Sequence, residues 1–174
     1  MDKIEFDKLL LKTSFCCLAS DGNIDKREIS LLKSIFTDKE QYKDLNFDDK
    51  LNSFIKIYNE KGKSFFTFYF DLLKESELNE EEELAVIDIA VKTIKADEQI
   101  EYSEIKFFKV IRHNLKITDE NILAKFPDIE LFLEQDIITE TYLEKITNHY
   151  FETAELPKFD LISSLDTDTK NPDK

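Results

Sequence analysis

Seven carboxylates crowd into two short segments of this chain: Asp21, Asp25 and Glu28 in the first, and Asp97, Glu98, Glu101 and Glu104 in the second. Oxygen donors gathered in this way are what a hard cation such as calcium or magnesium takes as ligands. The two segments are also copies of one another. The shift that carries Asp21 onto Asp97 carries Ile24 onto Ile100, Asp25 onto Glu101, Glu28 onto Glu104, Ile29 onto Ile105 and Ile35 onto Ile111. Acid falls on acid and apolar on apolar, and each copy sits at the joint between two helical patterns. The repeat therefore predicts an all-α fold of two pseudo-symmetric halves, each holding a helix-turn-helix unit. If folding brings the two acidic turns together, Asp21, Asp25, Glu28, Asp97, Glu101 and Glu104 are the candidate ligands of a divalent cation.

The spacing is not that of an EF-hand. A loop begun at Asp21 needs glycine at its sixth position and glutamate at its twelfth, where the chain has Lys26 and Leu32; begun at Asp97, it meets Tyr102 and Phe108. Acids in these places have a second use. Asp25 with Glu28, and Glu101 or Ser103 near Glu104, are residues that helix starts use to satisfy free N–H groups and the positive end of the helix dipole.

Other reactive side chains form no recognisable constellation. His113 and His149 lie far apart, without the His-Glu-x-x-His spacing of a zinc site. Cys16 and Cys17 are adjacent, so they can neither staple the fold nor give spaced zinc ligands, and burial as small apolar groups is the default for both. With only Gly22 and Gly62 there is no glycine-rich phosphate loop, and Gly-x-Ser-x-Gly is absent. No nucleophile, base and oxyanion donor can be named together, and no catalysis is expected.

The net charge of −14 argues against nucleic acid, whose binding draws on Lys and Arg, and against an anionic membrane surface. It suits solubility, a cation or a basic protein partner. The start, Met1-Asp2-Lys3-Ile4-Glu5, lacks the basic and apolar regions of a signal peptide, and no apolar run reaches the ~20 residues of a membrane span, so a cytoplasmic location without membrane insertion is expected.

The elements that must carry the acidic turns are helices. Few glycines and prolines beside abundant Leu, Ile, Lys, Glu and Phe favour about seven to nine of them. The first spans Lys3 to Ser20 with apolar residues on two sides; Gly22 turns the chain, and a second helix from Asp25 carries Ile29, Leu32, Ile35 and Phe36 inward. Residues Asp38 to Asn46 read as loop and Phe47 to Asn59 as helix, ended by Gly62. The run Ser64 to Leu73, apolar nearly all round, predicts a central buried helix. Asn79 and Glu82 form a capping box for the next, in which Asp88 faces solvent as the partner of Lys92. Further helices are expected over Glu101 to Leu115, Thr118 to Phe126, Ile129 to Asp136 and Thr139 to Phe151. Residues 1–155 make up the expected domain and 156–174 a polar tail, with little to bury from about Ser163 onward and disorder expected there.

The run Ala19-Ser20-Asp21-Gly22-Asn23-Ile24-Asp25-Lys26-Arg27-Glu28 closely resembles the Ala-Asp-Gly-x-Ile-x-x-x-Glu signature of the TerB-like family, named after bacterial tellurite-resistance proteins. The second copy resembles it too, with Glu98 in place of the glycine. The resemblance spans roughly Lys3 to Leu115 and implies an all-helical domain with internal pseudo-symmetry. It also implies roles of the kinds proposed for family members, namely stress response, membrane-associated complexes or metal binding. Two functions follow as expectations: a non-catalytic stress-response module whose exposed face or tail engages another protein, and a divalent-cation-binding protein using the two acidic turns.

Overall fold

The computed structural model describes residues 2–20, 26–37, 42, 46–95, 100, 102–134, 158–159 and 161. Among them eight α-helices follow in order: α1 Lys3–Ala19, α2 Lys26–Thr37, α3 Phe47–Lys61, α4 Lys63–Glu75, α5 Glu80–Ile94, α6 Tyr102–His113, α7 Asp119–Lys125 and α8 Glu130–Leu133. A 3-10 turn at Pro127–Ile129 leads into α8, so the helix expected over Ile129 to Asp136 is a shorter one begun by a tighter turn. The helix expected over Thr139 to Phe151 lies outside the described residues.

Helix starts follow the local chemistry of the chain. The Asp2 carboxylate accepts the Glu5 N–H at 2.9 Å, and Thr118 accepts that of Asn121 at 3.3 Å. At α5 the capping box is complete: Asn79 Oδ1 accepts the Glu82 N–H at 3.0 Å, while Glu82 Oε2 accepts the Asn79 N–H at 2.9 Å. Such reciprocal bonds satisfy donors that the helix itself leaves free. Gly62 alone joins α3 to α4, with φ at 54°, a backbone region that glycine enters without steric cost. Lys92 donates to Asp88 on the outer face of α5, as the i,i+4 spacing predicts.

The apolar run at 64–73 predicts a helix at the centre, and here the structure differs. The central helix is α1, which packs against α2, α3, α4, α5 and α6, most extensively against α5. Leu9 to Leu11 and Thr13 to Ala19 are all buried. By contrast α4 buries only the stripe of Phe65, Phe66, Tyr69, Phe70 and Leu73, and Phe68 is 61% exposed. The reason is angular. At about 100° per residue Phe68 falls with Ser64 and Asp71 on the side away from the stripe, whatever its hydrophobicity.

Aromatic rings weld α1, α3, α4 and α6 together. Phe15 meets Phe65 edge-on at 5.4 Å and Tyr58 at 5.9 Å, Tyr58 meets Phe66 at 5.6 Å, and Phe107 of α6 meets Phe66 at 5.4 Å and Phe70 at 5.2 Å. Tilted and edge-on pairs of this kind add ~0.5–1.5 kcal/mol each beyond the area they bury. From far along the chain, Phe159 stacks on Tyr58 at 5.0 Å, and Phe159 and Leu161 pack on the core from within the stretch assigned by composition to the tail. Asn59 holds the Phe159 backbone at both ends, donating to its C=O at 2.9 Å and accepting its N–H at 3.0 Å.

Candidate functional site

Of the six proposed cation ligands, Asp21, Asp25, Asp97 and Glu101 lie outside the described residues, as does Glu98. Glu28 and Glu104 are described, and they share an environment. Each sits in the first turn of the helix that follows its signature segment, α2 for Glu28 and α6 for Glu104, and each is buried, at 8% and 4% exposure. The sequence explains the burial. Leu32 follows Glu28 at i+4, and Phe107, Phe108 and Ile111 follow Glu104 at i+3, i+4 and i+7, so both carboxylates stand on the inward stripe of their helices. Exposed helix-start acids would do the same dipole work without being desolvated.

Both helices pack on α1, whose C-terminal turns carry Cys16 and Cys17. Burial pushes the Cys17 thiol well up, and the charge of Glu104 nearby pushes it further. Cys16 is raised by burial and by Cys17, against a lowering from Lys12. Thiols held protonated in this way are poor nucleophiles and poor metal ligands, since both roles belong to the thiolate. Among the described residues, no group of three or more His, Cys, Asp or Glu side chains is close enough to share a metal ion.

The remaining buried polar groups serve the architecture. Thr13 and Ser14 of α1 donate to the Leu9 and Leu10 carbonyls, and the Tyr69 hydroxyl donates to Thr13 Oγ1 at 3.0 Å. Glu83 of α5, 4% exposed, accepts the Lys116 N–H at 3.0 and 3.1 Å and the Ile117 N–H at 2.6 Å, tying α5 to the loop before α7. His113 ends α6 on the surface.

The outer surface is acidic where the starts of α5 and α7 meet. Glu80 and Glu81 on α5, and Asp119 and Glu120 on α7, are exposed, and Asn121 bridges the two helices by donating to Glu80 at 2.9 Å. Sequence reasoning did not find this juxtaposition, because the two helix starts are brought together only by folding.

Helices alone among the described residues, with two signature glutamates buried in the first turns of α2 and α6, define a class of small helical module. A family model described as "Tellurite resistance protein TerB" matches residues 13–125, well over half of the chain, and the chain belongs to that family. No curated protein and no solved structure matches it. Among the described residues no helix is long and apolar enough to cross a membrane.

Proposed function

We propose that this TerB-family domain is a non-catalytic module of a tellurite-resistance-type stress response that works by engaging another protein. The observation that carries the reading is the acidic face at the starts of α5 and α7. The first turn of α5 alone holds Glu80, Glu81, Glu82 and Glu83. Glu82 completes the capping box and Glu83 turns inward to the Lys116 and Ile117 amides, so Glu80 and Glu81 stay exposed on α5, while on α7 Glu120 is exposed and Asp119 is paired with Arg112 at 2.6 Å, which leaves acids in excess on this face. A face with an excess of one sign accelerates encounter with a surface of the other and selects against like-charged partners. The partner chemistry is therefore a protein with a basic surface. The buried, protonated thiols and structurally engaged Tyr69 and Glu83 support a role without catalysis.

The test is affinity capture from the native cell at low and high salt, using the wild type and a Glu81→Lys/Glu120→Lys variant. The wild type should retain a partner at low salt and release it as salt rises, and the variant should retain little. Equal recovery by both proteins, or nothing above background, would end this reading.

A divalent-cation role is the second reading, and the placement of Glu28 and Glu104, each in the first turn of the helix that follows its acidic signature segment, favours it. Binding of calcium or magnesium to the folded state alone would raise the melting temperature with ion concentration. Calorimetric titration of metal-free protein should show that binding and its loss in Asp21→Asn/Asp97→Asn; a flat titration would leave the signature as helix-hairpin architecture.

A further inference from the structure

A pocket of about 370 Å³ opens between α1, α3 and α4, lined by Lys12, Phe54, Ile57, Lys61, Ser64, Phe65 and Phe68. Its volume falls within the ~300–1,000 Å³ of small-molecule sites. The walls are almost wholly apolar, and the mouth is marked by two hydrophobic side chains left in water, Ile57 at 41% and Phe68 at 61% exposure. This is the exposed side of α4 that angle, not composition, turned outward.

The charge of the lining is the second observation. In a chain of net charge −14 the described residues that line the pocket include two lysines and no acid. The Lys12 ammonium lies over three rings, 4.9 Å from the centroid of Phe68, 5.5 Å from Phe54 and 5.9 Å from Phe65. No carboxylate among the described residues forms an ion pair with it, and the Glu5 carboxylate two turns back along α1 is engaged by Lys8. Burial lowers the Lys12 ammonium, against smaller raising effects from Cys16 and Glu5. The first turn of α4 adds positive potential at Ser64, because Gly62 supplies no side-chain cap to its N–H groups. A cation kept among aromatic faces, with no ion-paired carboxylate among the described residues, is a recognition group in waiting, since a charge-assisted bond to an incoming anion is stronger than its present ring contacts.

We propose that this pocket binds a free single-chain amphiphile with a carboxylate head, of the medium-chain fatty-acid type. The head group meets Lys12, with Lys61 at the rim, and the hydrocarbon chain lies among Phe54, Ile57, Phe65 and Phe68. None of the described lining residues belongs to the acidic face of α5 and α7 or to the signature segments, so the proposal stands or falls independently of them.

The test is calorimetric titration of the full chain with decanoate below its micelle concentration, beside decanol and decyltrimethylammonium as neutral and cationic probes of the same length. Decanoate should bind one per chain, decanol more weakly, and the cation least. Lys12→Met, which keeps an unbranched stem, should weaken decanoate roughly tenfold, the loss of one charge-assisted bond. Phe68→Ser, at an exposed position where the fold is not at stake, should weaken decanoate and decanol alike. Tighter binding of the cation than of decanoate, or undiminished binding by Lys12→Met, would overturn the proposal. So would sedimentation with phosphatidylglycerol vesicles in the absence of decanoate binding, which would make the patch a membrane contact instead.

Discussion

Helices α1 and α4 are both rich in apolar residues, yet one is enclosed and the other lies half open. Neighbours, more than composition, decide the difference. α1 has helices around it and meets them with side chains that are either apolar or small and self-satisfied, such as Thr13 and Ser14 bonded to their own preceding turn. α4 has one buried stripe and a back that carries Thr67, Phe68 and Asp71 into solvent. A hydrophobic side chain on the wrong meridian of a helix is thus not core, and at Phe68 it becomes the rim of a pocket.

The widest separation between the two helices should come from their phenylalanines. Phe15, fully buried among Phe54, Tyr58 and Phe65, should cost ~3–5 kcal/mol on substitution by alanine, measured by urea unfolding. A cost under ~1 kcal/mol would mean that α1 is not the organising element.

Enclosure also predicts an alkaline limit. Burial raises the Cys16 and Cys17 thiols above their ordinary 9.0, so below that value both folded and unfolded chains keep the protons and the thiols add no slope. Above it the unfolded chain alone loses them, and stability falls as pH rises. Each thiol contributes up to ~1.4 kcal/mol per pH unit. Unfolding free energies measured from about pH 8 to 10 should show the fall, and Cys16→Ala/Cys17→Ala should flatten it, leaving the later fall from Tyr69, also raised by burial, against a rise from Lys12, whose lowered ammonium gives up its proton first in the folded chain.

The Tyr69 hydroxyl is the polar link between the two helices. Tyr69→Phe should cost ~0.5–1.5 kcal/mol, because Thr13 keeps its own bond to Leu9. Phe68→Ala should change stability by no more than ~0.5 kcal/mol, the value for an exposed site. A larger loss at Phe68 than at Tyr69 would erase the distinction between the two sides of α4.

Local signals were readable and distant ones were not. The capping box at Asn79 and Glu82, the glycine joint at Gly62 and the Asp88–Lys92 pair all depend on residues within a turn of one another, and sequence spacing found them. The run 64–73 points to the centre because it is apolar nearly all round, yet the 3.6-residue period separates Phe68 from the stripe that α4 buries. Glu28 and Glu104 were singled out by the repeat, and their burial was legible from the same period had it been applied to acids as well as to apolar residues. Glu83 and Asn59 gave no signal, since their backbone partners are supplied by segments 33 and 100 residues away. Lys12 left a faint one: a lone lysine inside the otherwise uncharged run Leu9 to Ala19.

The two bonds from Asn59 to Phe159 carry a consequence for time. Joining points 100 residues apart costs roughly 4 kcal/mol in chain entropy, so this contact is made after the helices have already gathered. Interactions absent from the transition state govern how fast a protein comes apart and leave the rate of assembly alone. In stopped-flow experiments Asn59→Ala should accelerate unfolding and leave refolding unchanged. The clasp at Phe159 then sets the lifetime of the native state, while the route to it is already decided by α1 and the helices around it.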